Sequence, residues 1–191
     1  FCGDVSDAGV VSQFVSQVVN KFGTIDVLVN NAGIRFRKGF LDISNDELDQ
    51  VLDVNLKSVF TFCQAVLPHM IKNHEGKIIN MSSIAGTLGF ANLSGYVMSK
   101  AAIIGLTKSL AVEFSEKNIQ INALAPGFCK TSYFENFQEN KELYDFTLSR
   151  TPMGRWGESK EIADVCVFLA SSMSNYMTGE VLKVDGGWSA G

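Results

Sequence analysis

The feature that most constrains this chain is a hydrophobic period that switches and switches back along it. An amphipathic helical stretch gives way to a short β-branched apolar run, and the pair then recurs. Val10, Val11, Phe14, Val15, Val18, Val19 and Phe22 repeat at helical spacing, with Ser6 and Asp7 as capping residues before them and Gly23 as a stop. Ile25 to Val29 follows, with the length of a buried parallel strand. The alternation continues with a helix around Asp46 to Lys72, punctuation at Gly76, a strand Lys77 to Met81, a helix Tyr96 to Ser115 and a strand Ile119 to Leu124. After Pro126-Gly127 a polar and aromatic segment extends to about Arg150, then a helix near Lys160 to Ala170 and a last strand Val181 to Val184. Strands alternating with helices predict an α/β fold, a doubly wound, Rossmann-like parallel sheet covered on both faces. No linker or repeat divides residues 1–191, so one domain is expected.

A dinucleotide-binding fold of this kind begins with a strand, a Gly-rich turn and a helix whose N-terminus holds a pyrophosphate. This chain opens instead with Phe1-Cys2-Gly3-Asp4-Val5, and neither Gly3 nor Gly9 follows a strand. Because a βαβ unit takes about 30 residues, the pattern predicts that roughly 50–60 residues belong upstream, and that residues 1–191 alone bind a dinucleotide weakly or not at all.

Composition narrows the partners. The formal charge is -4 with acids and bases interspersed, so no basic stripe predicts nucleic-acid binding. Cys2, Cys63, Cys129 and Cys166 stand singly, which fits a reduced, cytoplasmic setting and no zinc or dithiol site. No apolar run reaches the roughly 20 residues a membrane span requires. His69 and His74 are five apart and fall on different helix faces, so no metal is expected there.

The strongest chemical signal is Tyr96-Val97-Met98-Ser99-Lys100 near the start of a helix, with Ser83 at the end of the preceding strand. Positions i and i+4 share a helix face, so the ammonium of Lys100 is expected beside the phenol of Tyr96. A neighbouring cation favours phenolate and brings a group that titrates near pH ~10 within reach of proton transfer. The Ser83 hydroxyl is placed to donate to an oxygen developing negative charge. The three together suit carbonyl reduction or its reverse.

From its first residues to its last the chain resembles the short-chain dehydrogenase/reductase family. The residues that carry the resemblance are Asp4-Val5, Asn30-Asn31-Ala32-Gly33, Val54-Asn55-Leu56, Ser83, Tyr96 and Lys100, Asn122 to Gly127 followed by Thr131, and Val184-Asp185-Gly186-Gly187. The resemblance implies NAD or NADP as cofactor and a small-molecule substrate, with Asn55, Ser83, Tyr96 and Lys100 as the catalytic set. It also implies cofactor contacts from Asp4, Val5, Asn31, Ala32, Gly33, Tyr96, Lys100, Gly127, Cys129 and Thr131. Tyr96 then transfers the proton, Lys100 lowers its pKa and binds the nicotinamide ribose, and the Asn55 backbone carbonyl holds a relay water. Asn122 is read as structural, bonding backbone near the Pro126-Gly127 turn. A homotetramer is implied for the complete protein, with the helices Asp46 to Lys72 and Tyr96 to Ser115 pairing across subunits.

For the substrate, Ile34-Arg35-Phe36-Arg37-Lys38, Gly154-Arg155-Trp156-Gly157 and the ending Asp185-Gly186-Gly187-Trp188 resemble the branch that oxidises sugar acids such as gluconate or deoxygluconate. Arginine forks match a carboxylate, which suits that branch. Thr87 to Leu93 and the segment Ser132 to Met153, with Tyr133, Phe134, Phe137 and Tyr144, are expected to supply the rest of the pocket as a lid. The alternatives are a 3-oxoacyl-carrier-protein reductase, a steroid or polyol dehydrogenase, and a cofactor-binding regulator without catalysis.

Overall fold

The computed structural model describes residues 1–131 and 134–191. The elements follow in the order α1 (Ala8–Phe22), β1 (Val27–Asn30), α2 (Asn45–Leu52), α3 (Ser58–Asn73), β2 (Gly76–Met81), α4 (Ser94–Phe114), β3 (Ile119–Pro126), β4 (Cys129–Lys130), α5 (Phe134–Glu139), α6 (Lys141–Arg150), β5 (Gly157–Glu158), α7 (Ser159–Ala170) and β6 (Val181–Val184).

Four strands form one parallel sheet in the order β1-β2-β3-β6. Its two faces take alternate residues of each strand. Ile78 and Ile121, which pair across β2 and β3, turn to one face and pack with Val11, Val59, Val66 and Ile103 of α1, α3 and α4. Ile79 and Leu124 turn to the other and meet Leu169 of α7. Helices on both faces explain why β2 and β3 are buried almost without interruption. Among the described residues β1 is an edge strand, and Val27 and Val29 are exposed on it.

The helix boundaries follow local chemistry. The Asp7 carboxylate accepts from the N–H groups of Gly9 and Val10, and Gly23 closes α1 in the left-handed conformation at φ 82°. A Ser44–Glu47 capping box starts α2. The stretch expected as one helix from Asp46 to Lys72 is interrupted at Asp53–Lys57 by a π-helical turn, with Asn55 inside it. That explains an asparagine in mid-helix, since π turns break the regular ladder and recur at functional sites.

Two expectations need correction. The polar and aromatic segment from Pro126-Gly127 to Arg150, to which the sequence assigns no element, contains α5 and α6; the Asn140 side chain caps α6 by accepting from the Leu143 N–H at 3.1 Å. Strands β4 and β5 are two residues each and form a separate parallel pair, too short for hydrophobic period to reveal. Asn122 is structural as expected but its partners differ. Its amide donates to Met177 O and accepts from the Glu180 N–H, fastening the loop before β6 rather than the Pro126-Gly127 turn.

No helix among the described residues is long and apolar enough to cross a membrane. All four cysteines are free.

Candidate active site

In open parallel sheets the crevice for ligands lies beyond the C-terminal ends of the strands. Here β1 runs into Asn31-Ala32-Gly33, β2 into Ser82-Ser83 and β3 into Gly127. One cleft is lined by Asn31, Gly33, Ser83, Tyr96, Lys100 and Gly127, with Cys129 and Thr131 beside them. Ser83, Tyr96 and Lys100 thus meet in one place, although they come from a strand end and from a helix.

The floor is held by hydrogen bonds. Lys100, almost fully buried, donates from Nζ to Met81 O at 2.7 Å and stands 5.7 Å from the centre of the Tyr96 ring. Burial without a nearby carboxylate pushes its pKa down to about 8. Ser82 Oγ donates to Lys100 O at 2.9 Å, and Ser83 Oγ accepts from the Ala85 N–H at 3.1 Å. Asn55, fully buried, clamps the chain after β1: its Oδ1 accepts from Ile34 N at 2.7 Å and its Nδ2 donates to Ile34 O at 2.8 Å. The same Nδ2 donates to Ser99 Oγ at 3.1 Å, and Ser99 Oγ donates to Tyr96 O at 2.8 Å. Ser99 therefore joins the Asn55 clamp to the Tyr96 turn. Sequence reasoning missed it, although its place directly before Lys100 on the buried helix face was a usable signal.

Two glycines border the cleft, Gly33 at ordinary contact distance from its neighbours and Gly127 at a close approach. A Cβ on Gly33 would stand 3.4 Å from Asn55 Oδ1 and 3.5 Å from Lys100 Nζ, and one on Gly127 would lie 2.8 Å from Asp185. Gly33 keeps the cleft floor open above the lysine, and Gly127 lets the end of β3 sit against the residue after β6. Ala32 is exposed beside Gly33. Asp4 and Val5 are apart from this cleft, in a smaller hollow with Phe1, Phe14 and Phe62. The Asp4 carboxylate accepts from the Ser6 N–H and hydroxyl, which holds it below the ordinary carboxylate range.

At the mouth, Arg35 and Arg37 line the cleft from the loop after β1. Arg37 lies 5.8 Å from the Phe137 ring centre, and its pKa is lowered by crowding and by the charge of Arg35. Arg155 corrects the expectation made for it: both its terminal nitrogens pair with Glu161, at 2.7 and 2.8 Å, so its fork is already filled. Lys38 is likewise paired, with Glu47. Phe90, Leu93, Phe128 and Trp156 also line the cleft. Of the aromatics expected in a lid, Phe134, Phe137 and Tyr144 pack around Trp156, each with ring centres within 5.0 to 5.7 Å of it. Ser132 and Tyr133 lie outside the described residues.

A family model described as enoyl-(acyl carrier protein) reductase matches residues 1–189. The chain belongs to the short-chain dehydrogenase/reductase family. It is an oxidoreductase of that family, whose members depend on NAD(P). The 3-oxoacyl-[acyl-carrier-protein] reductase of Thermotoga maritima is 44% identical over 184 residues, 96% of this chain and 74% of that protein. The 2-dehydro-3-deoxy-D-gluconate 5-dehydrogenase of Dickeya dadantii is 40% identical over 188 residues, 98% of this chain and 74% of that protein. Among solved structures, a gluconate 5-dehydrogenase from Burkholderia cenocepacia in complex with NADP and tartrate superimposes with a TM-score of 0.96 at 35% identity, over 99% of this chain and 74% of that one.

Proposed function

We propose that this short-chain dehydrogenase/reductase interconverts a secondary alcohol and a ketone on a sugar acid such as gluconate or 2-deoxygluconate, using NAD or NADP. The observation that carries the reading is the content of one cleft: Ser83, Tyr96 and Lys100 on its floor, Arg35 and Arg37 at its mouth, and no aspartate or glutamate among its described lining residues, in a chain whose net charge is -4. Cations lining a cleft favour an anionic ligand.

The residues fit a nicotinamide cofactor. Gly33 leaves space directly over Lys100 Nζ, and the apolar hollow with Phe1, Phe14 and Phe62 beside Asp4 and Val5 suits a flat heterocycle. Asn31, Ala32, Gly33, Lys100, Gly127, Cys129 and Thr131 hold the nicotinamide half, and Asp4 and Val5 the adenine half. When bound, the cofactor supplies the hydride acceptor or donor. Ser83 donates a hydrogen bond to the substrate oxygen. In oxidation Tyr96 takes the hydroxyl proton as the carbonyl forms, and in reduction it returns one. Lys100 stabilises the phenolate, and Asn55 holds the floor with its side chain while its backbone carbonyl would hold the water that passes the proton onward. The fold assembles as a homotetramer through α3 and α4, where Phe60, Met98 and Val112 are exposed.

The test is Tyr96→Phe in the full-length protein. Turnover of gluconate-type acids falls by about 10²–10⁴-fold, while calorimetric NADP binding stays unchanged. Near-normal turnover overturns the assignment. A 3-oxoacyl-carrier-protein reductase is the second reading, favoured by the 44% identity to the Thermotoga maritima protein; faster turnover of acetoacetyl thioesters than of sugar acids selects it.

A further inference from the structure

One wall of the cleft is a row of rings. Phe90, Phe128 and Trp156 line it, with ring centres 6.3 Å apart from Phe90 to Phe128 and 5.2 Å apart from Phe128 to Trp156. Trp156 comes from the loop between α6 and β5 and is buried against Phe134, Phe137 and Tyr144. Apolar burial is non-directional, so these contacts fill space around the indole without fixing how it turns. Its direction comes from a hydrogen bond: the Trp156 Nε1–H donates to Thr147 Oγ1 at 2.8 Å.

Thr147 is otherwise a poor choice for its place. It lies fully buried inside α6, where threonine is a weaker helix former than the straight-chain residues. Valine would fill almost the same volume, whereas a buried hydroxyl costs stability unless it is bonded. This hydroxyl is bonded in both senses. It donates to Tyr144 O at 2.7 Å, the carbonyl three residues back that fixes the rotamer of a helical threonine, and its lone pairs are left to accept from the indole. A tryptophan N–H can only donate, so the Trp156–Thr147 bond has one polarity and one geometry.

We propose that Thr147 is a positioning residue for the reaction: it holds the Trp156 indole in the wall, so that the cleft keeps its width for substrate. The inference rests on the reading of the cleft as an oxidoreductase site, and it applies whether the substrate is a sugar acid or an acyl thioester. Without the hydroxyl, the buried indole N–H has lost its acceptor, and the ring turns toward the cleft and its water. Binding substrate then means pushing the ring back and burying an unpaired donor.

The test is Thr147→Val in the full-length protein, assayed on whichever of gluconate or an acetoacetyl thioester the wild type turns over. KM is expected to rise by roughly five- to a hundredfold, the factor that corresponds to one stranded buried donor. The kcat and the calorimetric NADP affinity should stay within about threefold, because the loss falls on substrate binding and Ser83, Tyr96 and Lys100 stand on other elements. Thr147→Ser keeps the hydroxyl and should restore KM to within about threefold. With Trp156→Phe there is no donor to strand, so adding Thr147→Val should change KM by less than about twofold. Trp156 and Trp188 are the two tryptophans of the chain, so in a Trp188→Phe background the emission reports Trp156 alone and should move to longer wavelength on Thr147→Val. An unchanged KM, an unchanged emission or a KM loss that persists with Trp156→Phe overturns the proposal. If Thr147→Val fails to fold, folding restored by Trp156→Phe supports it, and a double variant that still fails overturns it, since the hydroxyl then serves the helix. Failure of the underlying reading shows differently: Tyr96→Phe leaves turnover intact, or the wild type turns over neither substrate, and the emission measurement then still decides the role of Thr147.

Discussion

The floor of the cleft and its mouth use the same kinds of residue to opposite ends. On the floor, Asn55, Ser99 and Lys100 are buried, and their polar atoms are tied to one another or to backbone of neighbouring elements. Around the mouth, next in the chain to the lining residues Arg37 and Trp156, Lys38 and Arg155 are solvated and satisfied by the carboxylates of Glu47 and Glu161. Lys100 has its pKa driven down to about 8 by burial, whereas that of Arg155 is raised by its pairing with Glu161. The floor spends folding free energy to fix a few atoms for chemistry, and the mouth leaves its charges in water, where they are exchangeable.

The sharpest way to break this contrast is on the floor. Asn55→Leu removes both hydrogen bonds to Ile34 and the one to Ser99, leaving the Ile34 N–H and carbonyl without partners. Turnover is expected to drop by roughly ten- to a hundredfold and stability by about 2–4 kcal/mol, measured by steady-state rates and denaturant unfolding. Ser99→Ala should reproduce part of the rate loss, because it cuts the link to Tyr96 and spares the Ile34 clamp. If both variants turn over normally, the floor's hydrogen bonds are packing devices with no bearing on chemistry.

The same contrast governs what the sequence revealed. Floor residues sit on periodic elements, so spacing places them: Tyr96 and Lys100 one helical turn apart, Ser83 at a strand end. The strands Lys77 to Met81 and Val181 to Val184 were legible for the same reason, since apolar β-branched runs of that length have few other uses. The mouth and the ring wall were less legible. Phe90, Phe128 and Trp156 converge from three loops, and no local pattern reports that they share a wall. Arg155 was misread because its partner, Glu161, belongs to the first turn of the next helix, where it also closes the capping box with Glu158. A free and a paired arginine look alike in sequence. The π turn at Asp53–Lys57 was foreshadowed only by asparagine's poor fit to a helix interior.

Lys100 offers a second probe, one that reads burial directly. Its ordinary value of 10.5 applies to the unfolded chain and about 8 to the folded one. Below about pH 8 both states hold the proton. Between about pH 8 and 10.5 only the unfolded chain does, so folding stability rises with pH through that window. Compared with a Lys100→Met variant, the wild type should gain on the order of 1–3 kcal/mol of unfolding free energy across it. Parallel stability–pH curves for the two proteins would mean that the ammonium is better solvated than its burial implies.

The smallest effect is expected at the mouth, and its smallness is informative. Arg155→Ala removes a bidentate pair with Glu161, yet both side chains are largely in water, where screening and side-chain entropy cancel most of the attraction. Melting temperature should hardly move, and KM for acid substrates should stay within about twofold, because an arginine whose fork is already filled has nothing left for a second carboxylate. Arg37→Gln separates the two cases: Arg37 makes no ion pair among the described residues and lines the cleft, so KM for acids should rise by roughly ten- to a hundredfold there, with neutral alcohols unaffected. A large KM effect at Arg155 with none at Arg37 would reverse the assignment of the two arginines, and would mean that the Glu161 pair opens when substrate arrives.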